Sequence, residues 1–231
     1  MSLFLRIMSA SVPASRIHDC TRRTSELPLH KVLNPWPDVT IGVLLAGGAS
    51  RRMGRAKASI DVAGRSLALR SADALSGAAP RCVQIGGDPV DGLGWPVVPD
   101  QRHGTGPGAG LETGLLQAPG CAVVVCPVDT PMLPASLLLD LLDRVEGGAI
   151  AAAPHFQGRW HPLTSACSPA LLPALSAWLD AGRKDLQGLF DSVDAVRVET
   201  AALERHGVPD LILANANRAE DLDKIRDALV G

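Results

Sequence analysis

The chain of 231 residues lacks any apolar run near the roughly 20 residues that a helix needs to cross a bilayer. Its first 18 residues also lack the continuous apolar core of a secretory signal. Its five cysteines are odd in number and form no CxxC pair, which argues against a disulfide framework or zinc site and favours a reducing compartment. The formal net charge of -2 gives no global attraction to nucleic acid or an anionic membrane. These absences predict a cytoplasmic protein without nucleic-acid or membrane partners.

The N-terminal stretch differs in composition from the rest of the chain. Residues 1–18 contain no acid, are rich in serine and carry Arg6 and Arg16, and a proline-containing stretch then leads to Trp36. Disordered tails, transit peptides and translated sequence upstream of a true start codon can all have this composition. We predict an extension over residues 1–38, either disordered or the product of a misassigned start, and a single domain over residues 39–231.

From residue 41 onward, short apolar runs alternate with stretches of helical period, and 46% of the chain is hydrophobic. The run CAVVVC is apolar at every position, which is typical of an inner strand buried on both faces of a parallel sheet. The predicted strands are 41–46, 81–85, 96–99, 121–126, 149–153, 162–167 and 195–199, and the predicted helices are 66–77, 109–118, 134–145, 168–181 and 218–229. The alternation predicts an α/β fold, a single three-layer Rossmann-like domain with a mostly parallel sheet.

Three conspicuous segments follow predicted strands or precede predicted helices. LLAGGASRRMGRAK follows the first strand, GPGAG precedes a helix, and CPVDTP ends the strand CAVVVC. Ligands of open α/β sheets bind at the carboxyl ends of the strands. We therefore expect all three segments to line one edge of the sheet.

The segment after the first strand combines glycines with unbalanced positive charge. Gly47 and Gly48 have no Cβ, so the backbone can turn sharply and present N–H groups to an anion. Four cations follow within seven residues, and no acid lies between Asp38 and Asp61; the cations are Arg51, Arg52, Arg55 and Lys57. Neither GxxxxGK[ST] nor GxGxxG fits this segment. The sequence thus predicts a triphosphate-binding loop of another type, although a solvated turn is the simpler alternative for the glycines alone.

LAGGASRRMGRAK resembles the LAGGxSxRMGxxK signature of the molybdopterin nucleotidyltransferase family, and within it the molybdenum cofactor guanylyltransferases. In the same order, the chain shows VVPDQRHGTGPGAGLETGL, VVVCPVDTPMLP, RWHPLTSAC and LANANRAEDL, which resemble further segments of that family. The resemblance covers residues 41–230 and implies a fold of the nucleotide-diphospho-sugar transferase type.

The chain departs from the family pattern at several positions. Gly108 stands where leucine is usual, Val128 where a small or thiol residue is frequent, and Arg218 and Ala219 where the family has Thr-Pro. Gly86 stands where members often place an asparagine that contacts the nucleotide. None of these changes removes a charged group that the reaction needs.

The resemblance implies transfer of GMP from GTP to molybdopterin or the molybdenum cofactor, with release of pyrophosphate. Both substrates are anions, so a divalent cation is expected, and Mg²⁺ prefers one or two carboxylates together with substrate phosphates. Asp129 follows a buried strand and precedes Thr130-Pro131, which favours a metal role over its alternative, capping the helix near Pro134. Lys57 would neutralise charge on the triphosphate.

The predicted site therefore has a catalytic pair and a nucleotide-binding set. Lys57 and Asp129 are the predicted catalytic residues, with Asp129 as the metal ligand. By resemblance, Asp100 contacts the guanosine, with a turn-forming role as its alternative. The nucleotide-binding residues are Leu45, Ala46, Gly47, Gly48, Arg52, Lys57, Asp100 and Asp129. His161 and Asn215 fit the second substrate by resemblance only, and Arg183 and Lys184 fit either the pterin phosphate or an ordinary charged helix end.

Two alternative functions remain open from the sequence. A cytidylyltransferase for molybdopterin, or a transferase acting on a sugar or alcohol phosphate, would share the chemistry, and the spelling LAGG favours guanine over the LAAG of cytidylyl-transferring relatives. A non-catalytic carrier of GTP or pterin would bind without turnover, which the presence of both Lys57 and Asp129 argues against. Other cofactor-biosynthesis proteins or a recipient molybdoenzyme are the further partners that the resemblance implies.

Overall fold

The computed structural model describes residues 39–47, 57–102 and 104–230, apart from the side chains of Lys57 and Val230. The predicted extension over residues 1–38 lies outside the described residues, so the domain boundary stays a prediction. Among the described residues, no helix combines the length and the hydropathy that a membrane span requires.

The core of the fold is a mostly parallel sheet. The strands are β1 (Ile41–Leu45), β2 (Asp61–Val62), β3 (Arg65–Ser66), β4 (Arg81–Ile85), β5 (Val97–Val98), β6 (Val123–Pro127), β7 (Ala151–Phe156), β8 (Arg159–Trp160), β9 (Ser165–Cys167) and β10 (Val196–Val198). Their order in the main sheet is β10-β7-β9-β6-β1-β4-β5. Strands β6, β1, β4 and β5 run parallel to one another, and β7 runs parallel to β10, whereas β9 runs antiparallel between β6 and β7.

The reversed strand β9 follows from a tight turn. Gln157 and Gly158, between β7 and β8, have φ angles of 51° and 71°. Two consecutive positive φ angles are typical of the type I′ hairpin turn, whose twist matches that of the strands. The hairpin turns the chain back, and β9 then fills the position between β7 and β6.

Helices cover both faces of the sheet. They are α1 (Leu67–Ala78), α2 (Pro107–Leu116), α3 (Ala135–Glu146), α4 (Leu172–Asp180), α5 (Leu186–Ser192), α6 (Thr200–Leu203), α7 (Pro209–Ile212) and α8 (Ala219–Val230). One core packs α2, α4 and α5 against residues such as Val43 and Val125, and the other packs α1, α3, α6 and α7 against residues such as Leu44 and Val124. Alternate residues of one strand thus serve opposite cores, which confirms the predicted three-layer architecture.

The predicted elements are confirmed to within a few residues, except that the predicted helix 168–181 divides into a 3-10 turn over Pro169–Leu171 and α4. Sequence reasoning missed the hairpin β2–β3, strand β8, and helices α5, α6 and α7. These elements have two to seven residues, too few for a periodic signal. Cys121 and Cys126 are buried in different cores.

Candidate active site

Strand register places the predicted segments at one edge of the sheet. Pro127 of β6 pairs with Leu45 of β1, Leu45 pairs with Ile85 of β4, and Ile85 pairs with Val98 of β5. The residues two positions further along these four strands are Asp129, Gly47, Gly87 and Asp100, in that order across the sheet. The two predicted carboxylates therefore flank the end of β1, where the glycine-led basic segment begins.

The end of β1 is held by its neighbours on both sides. The N–H of Ala46 donates to the carbonyl of Ile85 at 2.9 Å, and the N–H of Val128 donates to the carbonyl of Leu45 at 3.1 Å. Leu45 is buried in the core beneath α2, whereas Gly47 is exposed. The chain thus leaves a fixed strand end and reaches the solvent at Gly47.

Part of the predicted phosphate loop lies outside the described residues, namely Gly48 and the cations Arg51, Arg52 and Arg55. Lys57 begins a 3-10 helix over Lys57–Ser59 that contacts α1, and of this residue the structure describes the backbone only. The described residues on either side of this segment are therefore Gly47, at the sheet edge, and Lys57, at the start of the 3-10 helix.

The carboxylate of Asp100 lies among three glycines from three different elements. A Cβ built on Gly47 would lie 2.7 Å from Oδ2 of Asp100, and one on Gly86 would lie 2.9 Å from the same atom. A Cβ on Gly110, in α2, would lie 3.4 Å from Oδ1, which is shielded from solvent. Asp100 thus reaches from the end of β5 across β4 toward β1, and it occupies the space that side chains at these positions would fill.

The absence of an asparagine at position 86 has a steric explanation. Gly86 has a φ of 68°, in the left-handed region that favours glycine. A Cβ there would also lie 2.9 Å from Cα of Gly47. Position 86 therefore has no room for the asparagine that the resemblance would place there.

Asp129 lies in a turn that several hydrogen bonds fix. The hydroxyl of Thr130 is buried and donates to the carbonyl of Pro127 at 3.1 Å, and the N–H of Leu133 donates to the carbonyl of Thr130 at 3.2 Å. The N–H of Ala216 donates to the carbonyl of Asp129 at 2.9 Å. The N-cap residue of helix α3 is Pro134, so Asp129, five residues earlier, is not the N-cap of this helix.

Asp129 offers carboxylate oxygens to a cation, whereas the neighbouring thiol does not suit a metal. Burial raises the pKa of the neighbouring Cys126 to about 12, and Asp129 raises it further, so this thiol stays neutral and points into the core. Among the described residues, no group of three or more His, Cys, Asp or Glu side chains could hold a metal ion by itself. A single half-buried carboxylate suits a hard cation that completes its coordination with phosphate oxygens and water.

Helix α2 brings the glycine-rich segment against the sheet. A Cβ on Gly114 would lie 2.9 Å from Val43, and one on Gly110 would lie 3.0 Å from Leu45, so these glycines allow the helix to lie directly on β1. The leucine that is usual at position 108 is replaced in space by Leu179 and Leu186, which a Cβ on Gly108 would meet at 3.1 and 3.3 Å. The glycine at position 108 therefore reflects a different packing of α2, in which neighbouring leucines occupy the space of the usual side chain.

Sequence reasoning missed a polar network beside Asp100. Arg102 makes two hydrogen bonds to the buried carboxylate of Glu112 in α2 and one to Asp180 at the end of α4. A glutamate among the small and apolar residues of PGAGLETGLL was the available signal. The sequence could not show that Arg102 also binds Asp180, because Asp180 lies 78 residues beyond Arg102 in the chain.

Four further candidates lie outside the predicted catalytic and nucleotide-binding residues, namely His161, Asn215, Arg183 and Lys184. His161 lies beside the end of β7, where its N–H donates to the carbonyl of Pro154, and Asn215 precedes the residue bonded to Asp129. The guanidinium of Arg183 lies 3.1 Å from the ring centroid of Trp178, and Lys184 donates to the carbonyl of Gly104 at 3.1 Å. Both cations are exposed, and Lys184, through this bond, contacts the loop that follows Asp100.

Comparison with known proteins identifies the family. The family described as MobA-like NTP transferase domain matches residues 42–198. A molybdenum cofactor guanylyltransferase from Rhodobacter capsulatus is 36% identical over 81% of this chain and 95% of its own, and one from Rhizobium meliloti is 37% identical over 72% and 79%. The crystal structure of molybdopterin-guanine dinucleotide biosynthesis protein A from Archaeoglobus fulgidus superposes with a TM-score of 0.70 at 20% identity, over 82% of this chain and 98% of that one, which shows a common fold. The chain belongs to the MobA-like NTP transferase domain family.

Proposed function

We propose that this protein transfers GMP from GTP to molybdopterin or the molybdenum cofactor and releases pyrophosphate. Curated relatives that are 36% and 37% identical bear the name molybdenum cofactor guanylyltransferase, and the first aligns over 95% of its length. The observation that carries the proposal is the sheet edge on which Asp129 and Asp100 flank Gly47.

In the proposed reaction, a terminal phosphate oxygen of the acceptor attacks the α-phosphorus of GTP. The bond from this phosphorus to the bridging oxygen of the β-phosphate breaks, and pyrophosphate leaves with the electron pair. The protein itself performs little covalent chemistry in this reaction. Catalysis therefore depends on holding the two anionic substrates together and on stabilising the negative charge of the transition state. Lys57 neutralises the charge that develops on the leaving pyrophosphate, and Arg52 adds positive charge to the same segment.

Asp129 holds Mg²⁺ in this proposal, because its carboxylate stands at the strand end in a turn fixed by Thr130 and Ala216. When bound, the cation reduces the repulsion between the two substrates and polarises the phosphate that is attacked. Lys57 and Asp129 are thus the catalytic residues.

The remaining proposed residues bind the nucleotide. The backbone over Leu45, Ala46, Gly47 and Gly48 lies against the ligand, since the exposed glycine has no Cβ to obstruct it. Asp100 accepts hydrogen bonds from the guanosine. Its position among Gly47, Gly86 and Gly110 supports this role, because each glycine leaves space that the carboxylate uses.

The test measures pyrophosphate release with Mg²⁺ and each of GTP, CTP, ATP and UTP, with and without molybdopterin or its molybdenum-loaded form. Acceptor-dependent release with GTP alone is the expected result. Release with CTP instead would retain the chemistry and overturn the base assignment. Binding of GTP with no release in the presence of active acceptor would replace the transferase by a carrier.

Other parts of the functional prediction also stay proposals. A cytoplasmic location follows from the cysteine pattern, and a recipient molybdoenzyme or another cofactor-biosynthesis protein is the expected protein partner. The four cysteines among the described residues are free thiols, which agrees with a reducing compartment.

A further inference from the structure

We propose that Arg102 and Glu112 are positioning residues, which hold Asp100 in the geometry that the nucleotide requires. This inference rests on the proposed contact between Asp100 and the guanosine. Arg102 lies two residues after Asp100, in the segment that joins β5 to α2. Neither Arg102 nor Glu112 needs to touch the substrate for this role.

The pair is built for a fixed geometry. Nε of Arg102 donates to Oε2 of Glu112 at 2.6 Å, and Nη2 donates to Oε1 at 3.1 Å, so the planar guanidinium meets the carboxylate with two parallel bonds. The hydroxyl of Ser176 donates to Oε1 at 2.6 Å. The side chain of Glu112 is only 5% exposed. Such two-bond pairs fix orientation as well as distance, which a single flexible ammonium cannot do.

The network connects the segment to two helices. Nη1 of Arg102 donates to Oδ1 of Asp180 at 2.6 Å, which joins α2 and α4 through one side chain. These bonds to Glu112 and Asp180 raise the pKa of Arg102 above its already high usual value, so the guanidinium carries its positive charge. The segment therefore cannot shift relative to α2 without breaking charge-assisted hydrogen bonds.

Three consecutive residues of the segment meet α2. Oδ1 of Asp100 lies over Gly110, the N–H of Gln101 donates to the buried hydroxyl of Thr113 at 3.2 Å, and Arg102 binds Glu112. Asp100 is thus the first residue of a strip docked on the helix, and the Arg102 contact is its strongest attachment. A displacement at Arg102 is transmitted to Asp100 through only one intervening residue.

Stability alone does not account for the pair. Buried ion pairs contribute little net stability, because desolvation offsets the attraction, and apolar replacements of similar volume are often tolerated. The side chain of Glu112 is almost fully buried, so the pair bears this desolvation cost. Fixing the segment that carries Asp100 gives the charged pair a function.

A double-mutant cycle tests the inference with the full-length protein and the pyrophosphate-release assay. Glu112→Gln keeps the shape of the side chain and removes its charge, and we expect it to raise KM for GTP about tenfold while kcat changes less than about threefold. In an Asp100→Asn background the same change should alter KM by less than about twofold, because the residue it positions is already impaired. Arg102→Lys, which keeps the charge and loses the two-bond geometry, should behave like Glu112→Gln.

The matched control is Arg144→Lys. Arg144 forms a pair with Asp140 at 3.1 Å in which both side chains are partly exposed, and the carbonyl of Arg144 accepts from Ala149, shortly before β7 begins and so at the opposite edge of the sheet. We expect this variant to lower the urea midpoint without changing KM for GTP. If Glu112→Gln does not fold, Ser176→Ala removes one hydrogen bond to Glu112 and should raise KM about two- to threefold, again only with Asp100 present.

The outcomes distinguish the proposed nucleotide contact of Asp100 from the proposed positioning role of Arg102 and Glu112. If Asp100→Asn leaves KM for GTP unchanged, the proposed nucleotide contact is wrong and the positioning role falls with it. If Asp100→Asn raises KM but Glu112→Gln has the same effect in both backgrounds, or no effect, the network is structural and the inference is overturned. A loss of stability with unchanged KM would also overturn it.

Discussion

The contact between Gly47 and Asp100 gives a sharp test of the site, because one added carbon should displace a carboxylate. In Gly47→Ala the new Cβ would lie 2.7 Å from Oδ2 of Asp100. The φ of Gly47 is outside the left-handed region, so alanine adds a contact without backbone strain. The perturbation is therefore steric and directed at one side chain.

The size of the effect follows from this distance. Restoring an ordinary contact of about 3.5 Å requires Asp100 or the backbone at Gly47 to move by about 0.8 Å. Asp100 has limited room to move, because Gly86 approaches the same Oδ2 and Gly110 lies beside Oδ1. A misplacement near 1 Å costs on the order of 100-fold in rate, so we expect kcat/KM for GTP to fall by about 10- to 100-fold. Overpacking should also lower the free energy of unfolding by about 1–3 kcal/mol.

Gly42→Ala is the matched control. Gly42 is on the same strand, and its Cβ would lie equally close, at 2.7 Å, to Sγ of Cys82. It is at the other end of β1, away from the edge that carries Asp100. We expect a similar loss of unfolding free energy in urea and a kcat/KM near that of the wild type. The reasoning would be refuted if the two variants had kcat/KM values within about twofold of each other.

Three further predictions concern single side chains. Lys57→Ala should lower kcat by at least about 100-fold, as the loss of one preorganised donor does; pyrophosphate release within tenfold of wild type would refute the role. Asp129→Asn should lower kcat by about 100-fold or more and raise the Mg²⁺ concentration needed for half-maximal release; an unchanged Mg²⁺ dependence would exclude Asp129 as the ligand. Burial, with Arg159 and His155 nearby, lowers the pKa of His161 below its usual 6.5, so the folded state favours the neutral ring and stability falls as pH drops through the usual pKa. His161→Asn should therefore lose less unfolding free energy than wild type between pH 7.5 and pH 5.5, measured by urea unfolding.

Much of the site was predictable because it depends on strand ends. A run such as CAVVVC identifies an inner strand by its burial on both faces, and the residues after it must then reach the edge where parallel strands end. This logic placed the segments that contain Gly47 and Asp129 at one edge, and the register of the strands confirms that arrangement and places Asp100, after β5, at the same edge. The roles of these residues toward a nucleotide stay proposals.

Tertiary structure decided the features that depend on distant partners. No local sequence pattern indicates that β9 lies between β6 and β7, because the order of strands depends on the assembly of the whole sheet. Helices α5, α6 and α7 are too short to be stable alone and exist because Phe190, Leu203 and Ile212 are buried in the two cores.

The sequence by itself determined the strands, the long helices and the family of this protein, because hydrophobic periodicity and short motifs are local properties of the chain. Only the tertiary structure decided that Asp100 lies among Gly47, Gly86 and Gly110, and that Arg102 is held by Glu112 and Asp180. Contacts between residues so far apart in the chain depend on how helices pack on the sheet, and packing is a property of the whole fold.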